Sequence, residues 1–316
     1  MLTELMKADL ESGAIPEGVD LLVSKILEKH DQGSIRAILF YGSCRRNLEP
    51  GEGLVDLLVV THRYRDFHGT GPGALANWLL PPNVYFLQTE SARGIYRCKY
   101  AVVSWPAFKN RTRRGRDGYF WARFTQPCRI GWARDEQTRM EIARARSEAA
   151  RRFTGKAASL LPGRWTPELF WSQALAASYR CELRPEPPES AARLVERDSA
   201  FYQAMTPLAL SGHEWVDMEP SNQGSDTGQD VVSRPGALRH TASRLDWAAR
   251  RVWGKTLNLA RLFKAAGTFT NGIDYLVWKV ERHSGVRIEP TDTMRRYPRL
   301  AAWGLAWKMW RMGAFR

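Results

Sequence analysis

The chain has 316 residues, 44% of them apolar, which is enough for one large domain or two small ones with real cores. A formal net charge of +14 and a pI near 9.9 imply an anionic partner (nucleic acid, an anionic membrane surface or a phosphorylated substrate); the competing reading is a merely soluble basic surface. Cys44, Cys98, Cys128 and Cys181 lie far apart with no C-x-x-C pairing, which argues against structural zinc and a disulfide framework and for a reducing compartment.

In chain order, the opening MLTELMKADLESG is mixed in charge and reads as neither a secretory signal nor a transit sequence. Residues 18–30, GVDLLVSKILEKH, carry Leu21, Leu22, Ile26 and Leu27 at helical spacing and predict an amphipathic helix. The apolar run Ala37 to Tyr41 predicts a buried strand that breaks at Gly42-Ser43. After a basic, Gly- and Pro-marked loop, Leu54 to Val60 predicts a second strand with one acid inside it, Asp56. A carboxylate in a Val/Leu strand is costly to bury unless a metal ion or a basic partner offsets it. A Gly-Ser turn after a strand lets backbone N–H groups and a hydroxyl approach a phosphate. Together these features have the layout of a nucleotidyltransferase site; the competing reading is a tight turn plus a structural salt bridge. Such sites often carry a second acid two residues on, where this chain has Leu58.

Residues 74–80 predict a short helix stopped by Pro81-Pro82, and Val84 to Gln88 and Tyr96 to Ser104 predict strands. Lys109 to Gly118 reads as a basic loop ahead of an aromatic run, Tyr119 to Phe124. From Glu136 the texture becomes Ala- and Arg-rich and helical as far as Leu161. Thr166-Pro167 then suits the cap and first turn of a further helix. AARLVERDSAFYQAM predicts another helix, and residues 218–236 a flexible loop or linker. The boundaries expected are therefore 1–135, 136–217, 218–236 and 237–316.

The last segment holds 16 Lys and Arg against 5 Asp and Glu, +11 of the total, together with six tryptophans. Trp303, Trp307 and Trp310 form one helical stripe beside Lys308 and Arg311. Indoles next to basic groups suit the headgroup level of a bilayer, and equally suit packing on the protein's own core. No apolar run is long enough to span a bilayer.

Several blocks, in order, resemble the mitochondrial-type phosphatidate cytidylyltransferases, the peripheral CDP-diacylglycerol synthases. They are Tyr41-Gly42-Ser43 with Asp56; Phe67-His68; Lys99-Tyr100 leading into AVVS; ARFTQPCRI at 122–130; and Ser178-Tyr179-Arg180-Cys181-Glu182-Leu183-Arg184. ARLFKAAGTFTNGIDYLVWKVERHSG looks like bacterial members of the group. The resemblance implies an α+β protein: a polymerase-β-type nucleotidyltransferase domain, a mostly helical domain and a basic C-terminal helical segment. It implies Mg²⁺ as cofactor, CTP and phosphatidic acid as substrates and an anionic membrane surface as partner, with no stable nucleic-acid partner. It also implies a peripheral, cytoplasmic location on the inner membrane. On it, Tyr41, Gly42 and Ser43 match the triphosphate turn, Asp56 the metal-binding acid and Lys99 a phosphate-facing base. Glu182 and Arg184 match a D-x-R motif, with Glu where that family has Asp, Cys181 where it has Gly, and Ala101 where it usually has Gly. The alternatives are a nucleotidyltransferase acting on RNA or protein, and a degenerate domain that only binds membrane. No Ser-His-Asp or Cys-His constellation stands out, and His68 and His283 read as structural.

Overall fold

Alternating apolar runs and turn residues give the first third of the chain its strands, and Ala-rich helical periodicity gives the rest its helices. The computed structural model describes residues 1–42, 53–115, 118–182, 188–221 and 228–268. Ser43, Arg184, Trp303, Trp307, Lys308, Trp310 and Arg311 lie outside the described residues. The architecture is α+β, in two compact units. A helical unit takes Met1–Ala14 and Trp105–Leu259; a sheet unit takes Ile15–Ser104 and the chain from Ala260. This division cuts across the sequence boundaries at 135 and 236.

Helix α1 (Leu2–Leu10) opens the chain and belongs to the helical unit. The sheet unit follows with α2 (Glu17–Lys29), β1 (Ile35–Tyr41), β2 (Val55–Thr61), α3 (Tyr64–His68), α4 (Pro72–Leu79), β3 (Asn83–Ser91) and β4 (Gly94–Ser104). Its strands lie side by side in the order β3-β4-β2-β1. β2 runs parallel to β4 and antiparallel to β1, and β3 runs antiparallel to β4. Helix α2 buries Val19, Leu22, Val23 and Ile26, an i, i+3, i+4, i+7 stripe. Leu21 and Leu27 only flank it. Gly18 lets α2 come close to the Tyr96 ring of β4, because a Cβ there would collide with it.

The helical unit continues with α5 (Trp105–Arg114), α6 (Gly118–Phe124), β5 (Arg129–Ala133), α7 (Glu136–Leu160), β6 (Gly163–Trp165), α8 (Pro167–Tyr179), α9 (Pro188–Arg197), α10 (Ser199–Leu210), β7 (Val216–Pro220), β8 (Gln229–Ser233) and α11 (Ala237–Thr268). α11 belongs to this unit as far as Leu259. Asp135 caps α7, its carboxylate accepting from the Thr138 amide at 2.7 Å, and the Thr166 hydroxyl accepts from the Leu169 amide at 3.3 Å at the start of α8. Small residues on α7 (Ala143, Ala149, Ala150, Ala157) are fully buried and allow close helix packing around Phe153, Trp171 and Trp247.

Three expectations change here. Lys109–Gly118 is helix as far as Arg114, because Phe108 and Thr112, one turn apart, are both fully buried and anchor one face. AARLVERDSAFYQAM is two helices, broken at Asp198. Residues 218–236 include most of β7 and all of β8, and β8 pairs with both β6 and β7 in an antiparallel sheet of order β6-β8-β7. The buried Val231-Val232 pair drives that strand, and the Gly, Ser and Pro around it conceal the signal.

Candidate functional site

One row of residues crosses the sheet unit in register: Tyr41 on β1, Asp56 on β2, Lys99 on β4 and Phe86 on β3. Cross-strand partners share a face, so all four side chains project to the same side. Asp56 Oδ1 lies 3.0 Å from Lys99 Nζ; the Asp56 side chain is 19% exposed and that of Lys99 44%. The basic partner expected as one way to offset the buried acid is therefore Lys99, its neighbour on the parallel strand.

Gly42 ends β1 with φ +93°. A Cβ there would stand 2.9 Å from Asp56 Oδ2, so two independent demands, backbone and space, both call for glycine. The carboxylate thus sits between an ammonium on one neighbouring strand and bare backbone at the end of the other. Two residues on, Leu58 occupies the same face at 4% exposure, opposite Leu39 and Ala101. Asp56 is accordingly the one acid of β2. Its negative charge adds to burial in pushing up the thiol of Cys98, which precedes Lys99 on β4 and pairs with Val55.

The opposite face of the same strands carries an aromatic and histidine cluster, in which His30, Asn77 and Tyr85 join the Phe67-His68 and Tyr100 already marked by the sequence blocks. His30 Nε2 is 3.2 Å from the Tyr100 hydroxyl and its ring stacks on Phe67 at 4.0 Å. Tyr85 stacks on Tyr100 at 5.2 Å and its hydroxyl is 3.3 Å from His68 Nδ1. Asn77 Nδ2 lies 2.9 Å from His68 Nε2, and Asn77 Oδ1 accepts from the Asn83 amide at 2.8 Å. Burial pushes both histidines down to about 4, with Lys264 adding to the effect at His68. Burial also raises Tyr85 and Tyr100. Neutral imidazoles locked in hydrogen bonds make this cluster structural.

Glu182 belongs to the helical unit, half-buried just past the end of α8, with its amide donating to the Tyr179 carbonyl at 2.9 Å. Ser178, Tyr179 and Cys181 before it are buried, and Gly254 of α11 packs against the Cys181 carbonyl where a Cβ would collide. The structure therefore brings together Tyr41, Gly42, Asp56 and Lys99. Glu182 stands in the other unit.

ARFTQPCRI has a structural job in the helical unit. Arg146 on α7, fully buried, bonds Asp9 Oδ2 at 2.7 Å and the carbonyls of Gln126, Met6 and Phe124 at 2.9, 3.2 and 3.3 Å. Asp9 also accepts from the Cys128 amide at 3.0 Å.

Among the described residues no three His, Cys, Asp or Glu side chains gather as a metal cage. Asp56 fits a narrower role. Mg²⁺ commonly takes one or two carboxylates and draws its remaining oxygens from water and substrate phosphates. Among the described residues no helix is long and apolar enough to cross a membrane.

No protein-family model matches the chain, and no curated protein matches it. Among solved structures it is similar to a nucleotidyltransferase-like protein from Exiguobacterium sibiricum 255-15, at 12% identity over 93% of this chain and 91% of that one, with a TM-score of 0.25. A likeness of that order carries neither fold nor function across.

Proposed function

We propose that the chain is a nucleotidyltransferase and, more narrowly, that it joins CTP to phosphatidic acid, releasing pyrophosphate and forming CDP-diacylglycerol. The observation that supports this best is the row Tyr41, Asp56 and Lys99 beside the positive-φ Gly42. A phosphate oxygen of the lipid attacks the α-phosphorus of CTP, and the bond to the departing pyrophosphate breaks. Both reactants are anions, so the site must supply positive charge and hold them in line. Lys99, part-exposed and tethered to Asp56, has an ammonium that can move from the carboxylate to a phosphate. Gly42 leaves the backbone beside Asp56 open to close approach. Asp56 would hold Mg²⁺, which when bound offsets charge on the triphosphate.

The lipid acceptor rests on the family resemblance and on the +11 of the final segment. The same proposal gives Ser43 a phosphate contact, Glu182 a metal contact and Arg184 a phosphate contact. It also places Trp303, Trp307, Lys308, Trp310 and Arg311 on an anionic membrane.

A second reading has its own support. Leu58 buried at the second-acid position and Asp56 already satisfied by Lys99 favour a domain that binds an anionic ligand without transferring anything. Labelled CTP with Mg²⁺ and either phosphatidic acid or RNA separates the readings. Transfer to the lipid that falls at least about tenfold, roughly 1.4 kcal/mol, in Asp56→Asn supports the proposal. Transfer to RNA replaces the acceptor, and no turnover with either leaves the binding domain.

A further inference from the structure

Helix α5 carries two faces. Phe108 and Thr112 are fully buried, Phe108 meeting Phe120 and Phe124 of α6 at 5.6 and 4.9 Å. The other face bears two parallel ridges at i, i+4, i+8: Trp105, Lys109 and Arg113, and beside them Pro106, Asn110 and Arg114. Among the described residues, these six line a groove of about 400 Å³. Lys109, Asn110, Arg113 and Arg114 are exposed, and none of the three cations makes an ion pair among the described residues. No acid is among the described residues that line the groove.

We infer that this groove is a binding site for a phosphomonoester or diphosphate group. From Lys109 to Arg114 the helix rises only about 7.5 Å. All three cations of that span line the one groove, and they are too few and too close along the axis to follow a nucleic-acid backbone. Two guanidiniums supply forked donors for phosphate oxygens, Lys109 a mobile point charge and Asn110 a neutral donor. Trp105 gives one end of the groove an apolar wall. A competing account is that Arg113 and Arg114 only complement the negative end of the helix dipole, worth about 0.3–1 kcal/mol each. Lys109 lies mid-helix and gains nothing from that effect, and a dipole role predicts no ligand. The site does not depend on the nucleotidyltransferase reading, since Asp56 and Lys99 take no part in it.

The test uses the full chain and a triple variant, Lys109→Ala, Arg113→Ala and Arg114→Ala, whose three side chains are exposed. Pyrophosphate is titrated by calorimetry in EDTA, so that metal-dependent binding is silent. Co-sedimentation with phosphatidylcholine vesicles containing phosphatidic acid, or an equal charge of phosphatidylglycerol, gives the second arm. The wild type should bind, and the triple variant should bind at least about tenfold more weakly with its thermal midpoint within a few degrees of wild type. Binding of pyrophosphate alone identifies a soluble phosphoryl ligand. Preference for phosphatidic acid over phosphatidylglycerol identifies a lipid headgroup, because only the former is a monoester. Equal binding by both proteins in both arms overturns the inference. So does an RNA oligonucleotide that binds the wild type, fails with the triple variant and is matched by neither pyrophosphate nor vesicles. Should the triple variant unfold, Lys109→Glu alone, mid-helix and exposed, carries the same test: unchanged affinity overturns the site.

Discussion

Two carboxylates in this molecule each meet a cation, and they do so in opposite ways. Asp9 and Arg146 in the helical unit are 8% and 0% exposed, and Arg146 spends its donors on one carboxylate oxygen and three carbonyls. Asp56 and Lys99 in the sheet unit are 19% and 44% exposed and meet through one oxygen at 3.0 Å. The first pair is closed: both side chains are shut away from solvent, and the guanidinium ties α1, α6 and α7 together. The second is open. Its cation is mobile, its other oxygen faces a glycine, and its strands place it at a chain reversal. A closed pair holds a fold, whereas an open one can exchange a partner for a ligand.

Removing Arg146 should give the largest effect. Arg146→Met leaves Asp9 buried without its counter-charge and strips donors from three carbonyls, a loss of about 3–5 kcal/mol. Urea denaturation should show that loss, or no folded protein at all. Replacing Asp9 by Leu in the same chain should recover part of it, because an apolar pair removes the stranded charge. A loss below about 1 kcal/mol in Arg146→Met would mean that the closed pair is no more than a surface contact.

Gly42→Ala probes the open pair from its backbone side. The residue would sit at φ +93° with its Cβ 2.9 Å from Asp56 Oδ2, so strain of about 1–2 kcal/mol joins a displaced carboxylate. Stability should fall by roughly that amount and ligand binding at the site by more. If thermal midpoint and nucleotide binding both stay at wild-type values, the glycine is incidental.

Much of this was legible from the chain. Strands β1, β2, β3 and β4 and helices α2, α7 and α8 lie within a few residues of their expected positions, because apolar periodicity and the Thr166-Pro167 cap are local signals. Gly42 and Asp56 were visible as a turn and a misplaced acid. That Lys99 stands beside Asp56 depends on β2 and β4 being parallel neighbours, a non-local fact that composition does not encode. His68 reads as structural in the sequence, but its meeting with His30, Tyr85 and Tyr100 is hidden there for the same reason, the four coming from the ends of α2 and α3 and from two strands. α5 reads as a loop in the sequence because its charge is loud and its anchors, Phe108 and Thr112, are only two residues. β8 is hidden in the sequence because polar turn residues around it outnumber its valines.

The histidine cluster extends the comparison to groups that burial keeps neutral. His30 and His68 are held at about 4 in the fold, below their ordinary value near 6.5, by burial first and by Lys29, His68 and Lys264 after it. Tyr85, Tyr100, Asn77 and Phe67 also face them. The unfolded chain therefore binds protons more readily than the folded one between those two values. Stability is fully present above about pH 6.5 and should fall as pH drops toward 4. Thermal midpoints across that window should decline in the wild type and flatten when both histidines become glutamine. An equal decline in the double variant would assign the acid sensitivity to the carboxylates.

The smallest effect should be the most telling. In a double-mutant cycle of Asp56→Asn and Lys99→Met, the coupling in stability should be about 0.2–1 kcal/mol, since both side chains reach water and the contact is single. Adding salt to 1 M, where the screening length is near 3 Å, should shrink it further. The same cycle built on Asp9 and Arg146 should give a coupling several times larger and nearly indifferent to salt. An open pair that contributes this little to folding leaves its charges available for a ligand. In nucleotide binding, therefore, each single variant should lose about as much as the double, because carboxylate and ammonium act there as one unit. If instead the Asp56–Lys99 coupling in stability reaches about 3 kcal/mol and the variants bind nucleotide like the wild type, the pair is closed after all. The row across the sheet is then scaffold rather than site.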